Sequence, residues 1–244
     1  MQIVKKLTPL TVGGKQCRPD RDMTPTSVTI HNTGNDTANA LQHVNAQSRG
    51  ELAAMQMAVH YYVDDTDTVY QCLLDTQQGW HAGDATAANG TSPNTQGGNY
   101  TSISIEICQH KGINQLQAFR NAAWLVSELL GKYGWGTDRV RQHNDWKSTK
   151  YPTGKDCPYL LRHKTDGVDW QSFLALVKDG QTTTNTPPAV GSTRYYAVQV
   201  GAYTALQNAE GTLAKLQANG HEGYIVTKDV NAAGIVQAFF DGIV

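Results

Sequence analysis

The sequence predicts an α/β protein whose mixed central sheet is flanked by helices, followed by a second, small α+β domain. Short segments that alternate apolar and polar residues interleave with longer segments that repeat apolar residues every three or four positions. This order is typical of strands and helices in layers. An uncharged segment rich in Thr, with two prolines, then separates a large first part from a short second part.

Four segments of the first part have strand patterns. Ser102–Cys108 alternates most regularly, with three isoleucines on one face and Glu106 on the other. Ser27–His31 shows the same alternation. Two further β-rich runs, Ala58–Val63 and Thr68–Leu73, are joined by Asp-Asp-Thr-Asp, which predicts a hairpin.

Two segments of the first part have helix patterns. Asn114–Tyr133 repeats apolar residues at helical spacing and is followed by glycine, which predicts a helix with one buried face. Asp36–Gly50 is polar but compatible with a helix, with Asn35 or Asp36 as the N-cap. The long loop Gly83–Asn99 is rich in small and polar residues, and loops of this length are usually functional.

The segment Gln181–Thr193 contains no charged residue and is predicted to be a linker. The first domain is therefore expected to span residues 1–180 and the second residues 194–244. The second domain is predicted to contain four elements, in the order strand, helix, strand, helix: Tyr195–Val200, Thr204–Asn219, Gly223–Thr227 and Asn231–Phe240.

Composition excludes several classes of protein. The chain has 20 Lys and Arg against 21 Asp and Glu, so it lacks the basic surface that nucleic acid requires, and we expect no nucleic-acid partner. No apolar run approaches the ~20 residues of a membrane span, so we expect no membrane partner. The N-terminus lacks the apolar stretch of a signal peptide, which predicts synthesis in the cytoplasm without one.

Three residues have side chains that suit zinc: His31, His143 and Cys157. Imidazole and thiolate are preferred zinc ligands, and a set of three leaves a fourth position open for water. Their long separation in sequence is not a local motif. The residue types alone therefore leave open that the histidines are structural and that the cysteine is a small buried apolar group.

Six short sequence motifs occur in order along the first part: TIHNTG, VHYYVDD, GWHAGD, SISIEIC, HNDW and KDCP. Together they resemble the zinc-dependent N-acetylmuramoyl-L-alanine amidases of the amidase-2 family, which is related to the peptidoglycan recognition proteins. The resemblance covers about residues 20–175. It implies a mixed sheet with helices, one Zn²⁺ held by His31, His143 and Cys157, and catalytic roles for Glu106 and Lys155.

The chemistry of these two residues fits the implied roles. Glu106 lies on the strand face opposite the isoleucines and can take a proton from water, whereas Lys155 can stabilise an oxyanion. On an extended chain Lys155 and Cys157 would project on one side. Some relatives of the family have a catalytic tyrosine directly before the histidine of the second motif. Here Val59 precedes His60, and this difference favours Glu106 as the base. The alternative for Glu106 is an exposed strand carboxylate in an ion pair, and the alternative for Lys155 is an ordinary surface lysine.

Three further residues in these motifs are candidates for substrate binding: His60, Trp80 and His81. His81 lies beside the long loop and would contact the stem peptide of peptidoglycan, or else make a structural hydrogen bond. Trp80 would form an apolar wall of the cleft, or else belong to the core.

The segment that begins YYAVQVGAY resembles a SPOR repeat, a type of domain that binds peptidoglycan glycan strands. The unit is short and its second half is reduced, so it is either a wall-binding module or a unit for docking or assembly. The open strand edge expected at Tyr195–Val200 also favours a homodimer formed through this domain.

The resemblance implies a hydrolase that cleaves the amide between N-acetylmuramic acid and L-alanine in peptidoglycan. An amidase followed by a small wall-binding unit fits a phage or prophage endolysin that acts on the cell wall after release. The alternatives are a non-catalytic peptidoglycan-binding module and a cytoplasmic amidase that recycles muropeptides. The presence of Cys157 favours an enzyme, because non-catalytic relatives usually lack the thiolate ligand.

Overall fold

The computed structural model of the chain describes residues 1–185, 197–203, 206–218, 222–228 and 235–241. Contacts divide it into two compact units, Met1–Thr186 and Pro187–Val244. Among the described residues, no helix combines the length and the apolar character needed to cross a bilayer.

A six-stranded sheet forms the centre of the first unit, in the order β1-β6-β5-β7-β4-β8. Only the β5–β6 pair is antiparallel, and the other four pairs are parallel. The strands of this sheet are β1 (Gln2–Lys5), β4 (Ser27–Asn32), β5 (Tyr61–Val63), β6 (Thr68–Gln71), β7 (Ser102–Ile107) and β8 (Val140–Gln142). A separate two-stranded hairpin contains β2 (Thr11–Val12) and β3 (Lys15–Gln16).

Helices cover both faces of this sheet, which confirms the predicted fold class of the first part. The helices are α1 (Ala40–Ser48), α2 (Gly98–Thr101), α3 (Gln115–Tyr133), α4 (Tyr159–Arg162) and α5 (Trp170–Asn185). Single turns of 3₁₀ helix lie at Ala53–Met55, Thr137–Arg139 and His143–Asp145.

The main core lies between the sheet and α3. The three isoleucines of β7 are completely buried there against α3, together with Val28 and Ile30 of β4. A smaller core under α1 contains Val44, Tyr62 and Cys108. Alternation along β4 and β7 therefore directs apolar side chains to α3, and directs His31 and Glu106 to the opposite face.

The start of α1 differs from the prediction. The helix begins at Ala40, because Asn39 and Gln42 form a reciprocal capping box. The predicted N-cap Asn35 instead accepts hydrogen bonds from the backbone N–H groups of Thr37 and Ala38, at 2.9 and 3.1 Å. Those bonds stabilise a turn before the helix.

The last helix of the first unit runs into the segment that was predicted to be linker. Gln181–Asn185 continue α5, since threonine lowers helix stability by only a few tenths of a kcal/mol relative to alanine. The helix ends before Pro187, which is the first of the two prolines in the predicted linker. The rest of the predicted linker, up to Thr193, lies outside the described residues.

The second unit contains a three-stranded antiparallel sheet in the order β10-β11-β9. Its elements are β9 (Ala197–Tyr203), α6 (Leu206–Ala218), β10 (Glu222–Lys228) and β11 (Ile235–Asp241). The prediction of a helix at Asn231–Phe240 was wrong, because Ile235–Asp241 forms the central strand. This segment is rich in β-branched and aromatic residues, and short apolar runs of this kind do not distinguish strand from helix.

Candidate metal centre

The parallel register of three strands places polar side chains in a row on the α1 face of the sheet. His31 of β4 is paired with Glu106 of β7, and Glu106 is paired with Tyr62 of β5. All three side chains are buried, with Glu106 8% exposed. The row lies near the carboxyl ends of β4 and β7, where ligand sites of parallel sheets commonly lie.

His143 follows directly after β8, which is paired with β4 on the other side. A reciprocal cap between Gln142 and Asp145 closes a single 3₁₀ turn around it. The indole Nε1 of Trp146 donates to Oγ1 of Thr29 on β4, at 2.8 Å. Asp145 and Trp146 therefore support the His143 segment.

Cys157 is brought to the same place by a loop that binds the His143 turn. The backbone N–H of Asn144 donates to the carbonyl of Cys157 at 2.9 Å, and its side-chain amide donates to the carbonyl of Lys155 at 2.8 Å. The backbone between Lys155 and Cys157 is not extended as expected, because the N–H of Cys157 donates to the carbonyl of Lys155 at 2.8 Å. Both residues still line the cleft.

The three predicted metal ligands lie together. One ligand atom from each of His31, His143 and Cys157 lies within 4.8 Å of the other two. The Sγ of Cys157 is 3.8 Å from Nδ1 of His31. Zinc bond lengths of about 2.0–2.3 Å give an S–N edge of about 3.6 Å in a tetrahedral site, so the separation suits this metal.

Hydrogen bonds at the far side of each ring fix which nitrogen faces the centre. The Nε2 of His143 is 3.0 Å from the carbonyl oxygen of Ala82 and must donate to it. The Nε2 of His31 is 3.1 Å from Nδ1 of His81, whose own Nε2 donates to the carbonyl of Ser102 at 3.2 Å. This chain of donors leaves Nδ1 of both His31 and His143 unprotonated and available to a metal.

The buried groups of the centre fit a divalent metal. Among the described residues, Nδ1 of His143 is buried without a hydrogen-bond partner. Burial lowers the pKa of His143 to about 4, with Lys155 adding to the effect, and burial together with the neighbouring His143 lowers the pKa of His31. Both imidazoles are thus neutral at pH 7, as ligation requires. Burial also raises the pKa of Cys157 to about 12, so metal binding would displace its proton.

Glu106 lies beside the centre as a carboxyl group of unusual basicity. Burial raises its pKa to about 7, and the ammonium of Lys155 opposes this shift. Its Oε2 is buried and has no hydrogen-bond partner among the described residues. A carboxyl group with these properties can exchange a proton near neutral pH.

An open cleft of about 440 Å³ gives access to the centre. Among the residues that line it are the three predicted ligands, both predicted catalytic residues, and Trp80 and His81. Trp80 is half-buried there and can form a wall. His81 has both ring nitrogens engaged, by His31 and Ser102, so its imidazole makes structural hydrogen bonds.

His60, a predicted substrate-binding residue, does not line the cleft with the other predicted site residues. The side chain of His60 has no exposed surface and lies outside the cleft lining. Its Nε2 donates to the carbonyl of Gln77 at 2.8 Å, and its Nδ1 accepts from the backbone N–H of Ser104 at 3.1 Å. In this structure His60 therefore connects β7 to the loop before His81 through hydrogen bonds.

Sequence reasoning missed several residues around the centre. Tyr151 lines the cleft and packs with its ring edge toward His143, at 6.3 Å between centroids. At the two ends of the long loop, Asn99 accepts from the backbone N–H of His81, and Asp84 accepts from the backbone N–H of Gly98. The signals in the sequence that could have indicated these residues were the unusual length of the loop and the position of Asp84 at the end of GWHAGD.

Comparison with known proteins agrees with this geometry. The amidase-2 family model, described as N-acetylmuramoyl-L-alanine amidase, matches residues 21–160. A SPOR domain model matches residues 192–239. The chain therefore belongs to the amidase-2 family of N-acetylmuramoyl-L-alanine amidases. This family is zinc-dependent in general, and the His-His-Cys group has the matching donors.

Two similar curated proteins are amidases of Bacillus subtilis (strain 168). The chain is 35% identical to N-acetylmuramoyl-L-alanine amidase CwlH over 73% of its length, and 33% identical to XlyA over 84%. These matches span only 61% and 58% of the two relatives. The solved catalytic domain of XlyA is 31% identical, with a TM-score of 0.58, and the match covers 72% of this chain and 99% of that domain.

We expect Cys157→Ala to lose zinc, because two imidazoles alone form an incomplete ligand set. Metal analysis of the purified full chain, after exposure to zinc and removal of the excess, measures the zinc content per chain. Cys72→Ala is the matched control, since Cys72 is also buried but belongs to the small core under α1. Full zinc in Cys157→Ala would remove the thiol from the ligand set.

Proposed function

We propose that this chain is a zinc hydrolase that cleaves the amide between N-acetylmuramic acid and L-alanine in peptidoglycan. The observation that carries the proposal is the meeting of His31, His143 and Cys157 in one open cleft, with the unpartnered carboxyl oxygen of Glu106 beside them. Family membership supports the reaction, since amidases of this name are the curated relatives.

Zinc, when bound, supplies Lewis acidity that polarises an amide carbonyl and lowers the pKa of water toward ~7. Glu106 would take the proton of the attacking water at its carboxyl group. A pKa of about 7 suits this role, because the group is partly ionised at neutral pH and still basic enough to accept a proton. The same carboxyl group can then deliver the proton to the nitrogen of the departing L-alanine.

Lys155 would stabilise negative charge on the amide oxygen during attack. It lines the cleft, and its positive charge lowers the pKa of His31, His143 and Glu106. A fixed positive charge in a partly water-excluded site is well suited to an oxyanion. The complete set of ligands, base and cation favours hydrolysis over a role in binding alone.

The second unit would hold the enzyme on its polymeric substrate. The SPOR match supports binding of peptidoglycan by residues 192–239. A second weak site on a tether raises the effective concentration of the cleft near the wall without new contacts in the cleft. We accordingly propose the cell wall as the place of action, as for an endolysin.

Glu106→Gln is expected to lower turnover by roughly 10²–10⁴-fold while zinc content and fold are preserved, because the amide cannot accept the proton. Hydrolysis of a soluble muropeptide, followed by mass spectrometry of the new L-alanine amino terminus, measures the effect. Glu128→Gln, an exposed change on α3, is the control. Turnover near that of the wild type in Glu106→Gln would assign Glu106 a structural role.

Truncation after Thr186 is expected to leave cleavage of a soluble muropeptide almost unchanged, since the first unit matches a solved catalytic domain over 99% of that domain. Binding to whole sacculi should weaken, because only the tethered contact is lost. A pull-down with purified sacculi compares the full chain with the truncated form. Equal binding by both would discard the wall-binding role of the second unit, and sedimentation of both forms tests whether it forms a homodimer instead.

A further inference from the structure

Two consecutive residues of one loop support two different zinc ligands. The imidazole of His81 accepts from Nε2 of His31 at 3.1 Å, and the backbone carbonyl of Ala82 accepts from Nε2 of His143 at 3.0 Å. The direction of both ligand rings therefore depends on where this pair of residues lies. Groups that hydrogen-bond to a ligating imidazole in this way tune its orientation and basicity.

One oxygen atom binds the backbone of both residues. The Oδ1 of Asn99 accepts from the backbone N–H of His81 at 2.7 Å and from that of Ala82 at 2.8 Å. Asn99 is 7% exposed, so water has little opportunity to replace it. Loss of this acceptor would leave two backbone donors without their partner and free the loop to shift.

Asn99 is itself fixed by Asp84, two residues beyond Ala82. The carboxylate of Asp84 has no exposed surface and accepts from the backbone N–H of Gly98 at 2.6 Å and of Asn99 at 3.4 Å. Position 98 also packs closely against this region, because a Cβ there would lie 2.8 Å from the indole of Trp146 and 2.9 Å from Cβ of Ala82, which favours glycine. The two ends of the long loop are thereby closed on each other.

We propose that Asn99 is a positioning residue that sets the orientation of His31 and His143 together, through His81 and Ala82. This inference rests on the proposed zinc site. It predicts that one buried amide, which is not a ligand, controls both the affinity for metal and the geometry around it. A purely structural role would instead stabilise the loop and leave metal binding unchanged.

The test compares Asn99→Ala with Asn121→Ala in the full chain. Asn121 is 2% exposed and also makes two hydrogen bonds to backbone, but they go to carbonyls of Asp64 and Thr66, which hold no part of the metal centre. Both variants should lose stability. Only Asn99→Ala should bind zinc roughly 10–100-fold more weakly in competition with a chromophoric chelator.

Cobalt(II) in place of zinc gives a second measurement that does not depend on activity, because its visible absorption reports coordination geometry. The Asn99→Ala spectrum should differ from that of the wild type, whereas the Asn121→Ala spectrum should not. Asn99→Asp keeps the acceptor oxygen and should restore both the affinity and the spectrum. If Asn99→Ala does not fold, Asn99→Ser, whose hydroxyl is too short to bind both N–H groups, takes its place with the same expectation.

Unchanged zinc affinity and cobalt spectrum in Asn99→Ala would overturn the inference, as would equal losses in Asn99→Ala and Asn121→Ala. An Asn99→Asp variant as weak as Asn99→Ala would also overturn it, since the acceptor is then not the cause. A wild-type chain that binds neither zinc nor cobalt would instead overturn the proposed zinc site.

Discussion

The parallel register between β4 and its neighbours is the constraint on which the centre depends. Pairing of His31 with Glu106, and of Glu106 with Tyr62, brings the proposed ligand His31 and the proposed base Glu106 to one height on one face of the sheet. Because side chains alternate with a period of two, a shift by one residue would bury His31 in the α3 core and turn Ile30 into the cleft. The completely buried isoleucines of β7 oppose such a shift, so the apolar face fixes the polar one.

This arrangement gathers buried polar groups that lack partners of their own. Nδ1 of His143 and Oε2 of Glu106 are both buried without a hydrogen bond among the described residues. Each such group lowers the stability of the fold by about 1–3 kcal/mol. A bound metal and a water molecule would satisfy them, so the same groups that disfavour folding favour the ligands.

Local patterns predicted the parts of the fold whose sequence carries a clear period. The alternation of Ser102–Cys108 predicted β7 and the strand face on which Glu106 lies. The motifs shared with the family predicted the group formed by His31, His143 and Cys157. The predicted start of α1 was wrong because the Asn39–Gln42 capping box competes with possible caps at Asn35 and Asp36, and all of these are local patterns. The helix predicted at Asn231–Phe240 was wrong because strand β11 is stabilised by pairing with β10 and β9, which are distant in sequence. The roles of His60 and Asn99 could not be predicted, because they depend on which backbone groups lie beside them in the fold.

The central claim is that one cysteine and two histidines form a single metal site. X-ray absorption at the zinc K edge, on the full chain loaded with one equivalent of zinc, tests it most directly. We predict one sulfur at about 2.3 Å and two imidazole nitrogens at about 2.0–2.1 Å, with a light atom completing the shell. A zinc environment without sulfur, or with fewer than two imidazoles, would contradict the assignment.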